Sequence, residues 1–250
     1  MRPHPHEVLY RLFHTRGWRV TNDAAQRCDL AIAWYPTAVA PEDQVLQALS
    51  LSVPVLNLHC NDVSKRRVDQ AAFDAFGYDI RVDPRRYCGP CVRKSDENAL
   101  HDGTIIDCPV PAAESGYVYQ RVIDNRIDDG TVEDVRLPVF GSILPFAYRK
   151  YRPVRDRFAN RNARVVLAST EEVMDRTELQ AVLGFCSSMQ VEYAEIDVLR
   201  DRSDGRLYVI DVNPTPYGPP NHLSATDVKR AMALMDGAFE SAFGSELTTD

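Results

Sequence analysis

Near its end the chain reads Glu195-Ile196-Asp197-Val198-Leu199-Arg200 and then, after the polar loop 201–205, Leu207-Tyr208-Val209-Ile210-Asp211-Val212-Asn213. Both segments are rich in the apolar and β-branched residues that strands favour. The loop between them ends in a glycine and has the composition of a hairpin turn. Because side chains alternate along a strand, we expect Val209, Asp211 and Asn213 on one face. The hairpin would bring Asp197 close to Asp211.

These polar side chains interrupt otherwise apolar strands, so something must compensate their charge. A carboxylate is costly to bury without a cation or a metal beside it. Asp197, Asp211 and Asn213 offer oxygen ligands, which suit a Mg²⁺ ion that also binds water and phosphate. The alternative is a structural ion-pair network with Arg200 or another arginine, and the residues alone leave both readings open.

The pattern of an acidic residue on one late strand and acidic-x-Asn on the next resembles the ATP-grasp superfamily. The matching residues are Asp197, Asp211 and Asn213. The resemblance implies that they hold Mg²⁺ against the phosphates of ATP. Many ligases of the superfamily have Glu at the position of Asp211, whereas its inositol-phosphate kinases also use the shorter acid.

A strand and a loop further upstream resemble the ATP-grasp segments that contact the phosphates of ATP. Val92-Arg93-Lys94-Ser95 reads as a strand, and the loop 96–103 follows it. ATP-grasp proteins have a strand lysine here and a mobile loop that folds over the phosphates. The resemblance implies that Lys94 is a point charge on the phosphates and that His101, in the loop, belongs to the nucleotide site. A solvated lysine at a strand edge is the alternative.

The segment from Tyr117 to Asp124 is similar to the strand on which ATP-grasp proteins hold adenine. The resemblance implies that Gln120 begins the adenine contact. It further implies that Arg121 and Ile123 contribute their backbone groups, which need no particular side chain.

Two more segments, 133–136 and 147–150, resemble the strands that line the reaction site of ATP-grasp ligases. The resemblance implies that Arg136 and Arg149 stabilise charge on the transferred phosphoryl group. Their alternative is pairing with Asp134 and other surface acids.

The order of elements predicts the architecture. Residues 7–58 alternate between helical and strand patterns, which is typical of a parallel sheet, and 18–21 reads as a short strand. The remainder is strand-rich, with helices expected at 62–76, 176–189 and 225–243. We therefore expect an α/β (α+β), ATP-grasp-like fold. Its small N-terminal parallel-sheet (pre-ATP-grasp) domain would span 1–62, and its nucleotide-binding domain 63–250.

Net charge and the distribution of apolar residues argue against binding to nucleic acid or to a membrane. The 250 residues carry a net charge of −7, whereas nucleic-acid-binding domains usually show a basic excess. No apolar run is long enough to span a membrane, and the first residues lack the apolar core of a signal peptide. We expect a cytoplasmic protein that binds neither nucleic acid nor membrane.

The cysteines are expected to be free thiols. Cys88-Gly89-Pro90-Cys91 has the spacing of a redox pair, but a redox pair needs a helix after the first cysteine, and a strand is predicted there instead. Cys88, Cys91, His101 and Cys108 would suffice as zinc ligands, yet a second CxxC or CxxH pair is absent.

The sequence thus predicts an ATP- and Mg²⁺-dependent ligase. Such an enzyme would join a carboxylate to an amine through an acyl phosphate and release ADP. The alternatives are a small-molecule kinase of the same superfamily and a nucleotide-binding protein without turnover. We expect the acceptor to be a small molecule or a peptide. The sequence is also compatible with a homodimer.

Overall fold

A computed structural model describes residues 3–97, 100, 102–159 and 161–247. The α-helices are α1 (Val8–Thr15), α2 (Gln44–Leu49), α3 (Lys65–Phe76), α4 (Arg176–Met189) and α5 (Ala225–Phe243). The strands are β1 (Ala31–Ile32), β2 (Val55–Leu56), β3 (Gly89–Ser95), β4 (Thr104–Cys108), β5 (Tyr117–Arg121), β6 (Thr131–Phe140), β7 (Ala147–Pro153), β8 (Arg164–Ala168), β9 (Tyr193–Arg200) and β10 (Leu207–Asn213). Helices and strands are mixed along the chain, as the sequence predicts.

The largest sheet has five antiparallel strands in the order β10-β9-β6-β7-β8. One face of this sheet is apolar, because Val135, Leu137 and Ile196 and their neighbours all lie on it. Helices α3 and α4 cover that face with side chains such as Val68 and Phe185. This packing forms the larger hydrophobic core of the molecule.

The opposite face of the five-stranded sheet is apolar at one end of the strands and charged at the other. At one end Phe140, Phe146 and Tyr193 pack with residues of α1 and α5 in a second core. At the other end Arg136 of β6 and Asp197 of β9 face each other across the strands. The candidate site lies at this charged end.

Strands β4, β3 and β5, in that order, form a separate antiparallel sheet. Its middle strand β3 carries Lys94. The ammonium group of Lys94 donates a hydrogen bond of 3.2 Å to the carbonyl of Ile210 in β10. The small sheet is therefore tied to the edge strand of the large one.

The N-terminal region contains a two-stranded parallel sheet, in which β1 pairs with β2, so the predicted small parallel sheet is confirmed. The strand predicted at 18–21 is wrong: these residues form no strand, and the N–H of Trp18 bonds to the carbonyl of Phe13. Leu9 of α1 shares the second core with Phe239 of α5, and the domain division at residue 62 stays a prediction. Within the described part of the chain, no helix is both long and apolar enough to cross a membrane.

The start of α3 matters for the site. The helix begins at Lys65 rather than at the predicted Asp62, because Ser64 is its N-cap and accepts a hydrogen bond from the N–H of Arg67. The carboxylate of Asp62 instead accepts from the N–H of Ser64. This cap sets Lys65 in the first turn, from which its side chain reaches the large sheet.

Candidate active site

The hairpin of β9 and β10 places Asp197 directly opposite Asp211. A β-bulge between Val209 and Asp211 leaves Ile210 out of the pairing. The extra residue reverses the alternation of side chains, so Val209 enters the apolar core while Asp211 and Asn213 face the same side as Asp197. The prediction that Val209 shares their face is therefore wrong.

Asp197 is held by two cations. Arg136 donates from Nε to Oδ1 and from Nη2 to Oδ2, both at 2.8 Å, and Lys150 of β7 donates from Nζ to Oδ1 at 2.8 Å. Burial acts to raise the pKa of Asp197, but the attraction of Arg136 and Lys150 outweighs it and holds that pKa well below its ordinary value. Asp197 is thus a carboxylate at all physiological pH values.

The other two predicted metal ligands lie beside it. Asp211 Oδ1 accepts a hydrogen bond from the ammonium group of Lys65 at the start of α3. Asn213 Oδ1 accepts from the N–H of Thr215 at 3.0 Å. The structure therefore brings Asp197, Asp211 and Asn213 together on one sheet face, and each has a protein partner.

Lys94 reaches this cluster from the small sheet. Its Nζ donates to the Ile210 carbonyl, and no carboxylate among the described residues lies within 4 Å of it. Burial lowers the pKa of Lys94, against the opposing attraction of Asp69. The amide of Gln120 donates to both carboxylate oxygens of Asp69, at 2.7 and 2.9 Å, so its NH₂ group is engaged by protein.

The remaining residues of the predicted nucleotide site are more dispersed. The guanidinium of Arg121 donates a hydrogen bond of 2.5 Å to Asp201. This side-chain contact is consistent with the expectation that Arg121 would contribute only its backbone groups to the adenine site. Ile123 is buried, and its carbonyl accepts from Arg157 at 2.7 Å. His101 lies outside the described residues.

Arg149 does not join the cluster. Neighbouring side chains on a strand point to opposite faces, and on β7 it is Lys150 that faces Asp197. Arg149 points to the other face and pairs with Glu133 at 2.7 Å. The sequence prediction placed Arg149 at the reaction site, and the structure corrects this because Lys150 takes that position.

Glu195 belongs to the cluster although the sequence analysis did not select it. It lies two residues before Asp197 on the same face and is 3% exposed. Its Oε2 accepts from Arg136 at 3.2 Å, while Oε1 has no partner among the described residues. Burial raises the pKa of Glu195 to about 7.

Three site residues were missed for different reasons. The alternation of side chains already places Glu195 on the face of Asp197, so the sequence held that signal. Lys150 and Arg149 are adjacent, and the sequence does not tell which of the two faces inward. No sequence signal reveals Lys65, because its contact with Asp211 spans 146 residues of chain.

The donors fit a magnesium ion by their chemistry, since all are carboxylate or amide oxygens. They do not form a ready-made metal centre: across 3–97, 100, 102–159 and 161–247, no three His, Cys, Asp or Glu residues are grouped to hold a metal. Lys65 now supplies the positive charge at Asp211. A metal ion bound there would take over this role from Lys65.

Comparisons with known proteins give matches in structure alone. No family model and no curated protein matches the chain. The VanG D-Ala:D-Ser ligase from Enterococcus faecalis matches with a TM-score of 0.55 at 11% identity, over 90% of this chain and 74% of that one. The D-alanine–D-alanine ligase from Bacillus anthracis, solved with ATP, matches with a TM-score of 0.54 at 14% identity, over 96% and 91%.

A third solved structure is the ATP-grasp ligase PsnB, complexed with a phosphomimetic variant of its minimal precursor, Mg and ADP. It matches with a TM-score of 0.53 at 14% identity. The match covers 81% of this chain and 66% of the PsnB chain, so this chain spans just under two thirds of that relative. At such identities the similarity concerns the fold.

Proposed function

The chain has the ATP-grasp fold, and from this premise we propose that it is an ATP- and Mg²⁺-dependent ligase that activates a carboxylate as an acyl phosphate and joins it to an amine. The acceptor is a small molecule or a peptide. The three solved relatives described above are ligases, which supports this class of reaction.

One observation carries the proposal: Lys94 is a partly buried lysine without an ion-pair partner among the described residues. Its ammonium group has three donors, and the one described hydrogen bond goes to the carbonyl of Ile210. A buried cation is costly unless it is compensated. The phosphates of ATP would supply the missing negative charge and accept the remaining hydrogen bonds.

The surrounding residues suit the rest of a phosphoryl transfer. Asp197, Asp211 and Asn213 would hold Mg²⁺, whose chemistry is to neutralise phosphate charge and orient the phosphates. Arg136 and Lys150 lie on the same face as these ligands. Their positive charges would stabilise the negative charge that develops on the transferred phosphoryl group.

The reaction balances in two steps. A carboxylate oxygen of the substrate bonds to the γ-phosphorus of ATP, and the bond from that phosphorus to the bridging oxygen breaks, which releases ADP. The amine, once it has lost the proton of its ammonium form, attacks the acyl carbon through its nitrogen; inorganic phosphate leaves, and the nitrogen loses a second proton. In both steps the protein contributes mainly position and charge.

The test is to incubate the protein with Mg-ATP, a library of carboxylates and hydroxylamine, and to identify products by mass spectrometry. We expect a hydroxamate together with ADP and inorganic phosphate, and loss of all three products in Lys94→Met. If the γ-phosphoryl group stays on a stable product, the protein is a kinase instead. AMP would contradict both reactions, because it requires attack at the α-phosphate.

A further inference from the structure

Three buried side-chain oxygens have no hydrogen-bond partner among the described residues: Tyr148 Oη, Tyr193 Oη and Glu195 Oε1. Their residues are 0%, 1% and 3% exposed. Buried polar groups in folded proteins are nearly always paired, and each unpaired one is destabilising. Three such oxygens in one region therefore indicate that a partner group is missing.

The three oxygens belong to residues on one face of the five-stranded sheet. Tyr193 and Glu195 alternate on β9 and share a face. Pro138 of β6 is the cross-strand partner of Glu195, and its ring has no polar group to offer. Tyr148 stands on the next strand, β7, on the same side. The charge of Glu195 acts on both tyrosine hydroxyls, which places them within electrostatic reach of it.

A short loop lies beside Glu195. A Cβ atom on Gly218 would lie 3.6 Å from Glu195 Oε1 and 3.1 Å from the side chain of Val8. The carbonyl of Gly218 accepts from Arg11 at 2.9 Å, and its N–H donates to His6 at 3.3 Å. Residues 6–11 thus hold the loop beside Glu195 Oε1.

We propose that Glu195, Tyr148 and Tyr193 form the subsite for the amine substrate, and that they bind its primary ammonium group or ammonia itself. This inference rests on the proposed ligase function and names the amine side of that reaction. An alkylammonium has three N–H donors, which matches three open oxygens, one of them a carboxylate. The subsite adjoins Arg136, which bonds both Glu195 and Asp197, so a bound amine lies beside the proposed phosphoryl site.

The experiment measures binding without ATP, so its failure is distinct from failure of the ligase reaction. Methylammonium chloride is titrated at constant ionic strength, and the thermal unfolding midpoint is followed. Tetramethylammonium chloride is the control, because it carries the same charge without an N–H donor. With two heavy atoms, methylammonium reaches at best a Kd of several millimolar, so the titration extends to about fifty times that concentration. We expect a saturable rise of the midpoint with methylammonium alone.

Variants assign the effect to these residues. Glu195→Gln keeps the size of the side chain but removes its charge, and we expect at least a tenfold loss of methylammonium affinity. Tyr148→Phe removes an unpaired hydroxyl, so we expect weaker methylammonium binding and a higher midpoint without ligand. Tyr78→Phe is the matched control: its hydroxyl donates to the Leu207 carbonyl at 2.6 Å, so its loss should lower the midpoint and leave methylammonium binding unchanged. Equal responses to both ammonium salts, or an undiminished response in Glu195→Gln and Tyr148→Phe, would overturn the proposal.

Discussion

Arg136 and Asp197 form a two-pronged ion pair across neighbouring strands, with Nε–Oδ1 and Nη2–Oδ2 distances of 2.8 Å. Lys150 bonds to the same carboxylate. Such planar pairing fixes the orientation of both side chains. The pair therefore fixes the carboxylate of Asp197 on the face of the sheet where Asp211 stands directly opposite on β10.

Replacing Arg136 by Met should destabilise the protein more than the loss of a solvent-exposed ion pair does. The mostly buried carboxylate of Asp197 would keep only Lys150 as its cation, and breaking such a pair from one side costs up to about 3–5 kcal/mol. The free energy of unfolding, measured with urea and without nucleotide, should fall by that amount. Arg149→Met is the matched control on the opposite face: its pair with Glu133 is partly exposed, so we expect a loss below about 1 kcal/mol. Similar losses in both variants would contradict this account.

Asp211→Asn should weaken the binding of Mg-ATP by at least about tenfold, and tight ATP binding should require Mg²⁺. The amide keeps the shape of the carboxylate but has no negative charge for a metal. Calorimetry with and without Mg²⁺ measures both effects, and Asp236→Asn serves as a control, since Asp236 of α5 pairs with Arg16 outside the proposed nucleotide site. ATP affinity that is independent of Mg²⁺, or that is unchanged in Asp211→Asn, would rule out the proposed metal role.

Local signals explain which parts of the fold were predictable. The helix Arg176–Met189 was predicted with its observed bounds, because Asp175 and Glu178 form a capping box at its start. The helix Ala225–Phe243 also has its predicted bounds. In contrast, 18–21 has strand composition but forms no strand in the described structure, because a strand needs a pairing partner that composition does not reveal.

The candidate site was predictable as far as it depends on spacing within one hairpin. Asp197, Asp211 and Asn213 come together because the loop between β9 and β10 is short. The bulge beside Val209 and the inward position of Lys150 depend instead on how strands pair. Sequence alternation gives relative faces along one strand, but it does not say which face meets a neighbouring element.

Lys94→Met should reduce the affinity for ATP far more than the affinity for adenosine. Losing one charge-assisted hydrogen bond to phosphate corresponds to about 1.5–3 kcal/mol, or about 10- to 150-fold in the dissociation constant. Adenosine has no phosphate, so its binding should be nearly unchanged. Both affinities are measurable by calorimetry. Equal losses for the two ligands would mean that Lys94 supports the fold rather than the phosphates.

The stability of the unliganded protein should fall as pH rises through neutrality, and Glu195 should account for a defined part of this fall. Burial raises the pKa of Glu195 in the folded protein to about 7, from an ordinary value of 4.5. The folded state therefore binds this proton more tightly than the unfolded state does. The resulting stability is fully present below pH 4.5 and is lost as pH rises through 7.

A shift of this size corresponds to about 3 kcal/mol between pH 4.5 and pH 8. Glu195→Gln has no proton to lose, so the difference in unfolding free energy between this variant and the natural protein should change by that amount over this range. Other buried acids whose pKa is raised by burial, such as Asp69 and Asp134, are present in both proteins and cancel in the difference. Urea unfolding at pH 5, 6, 7 and 8 measures it. A difference that stays constant with pH would show that Glu195 is ionised throughout, held as a carboxylate by Arg136.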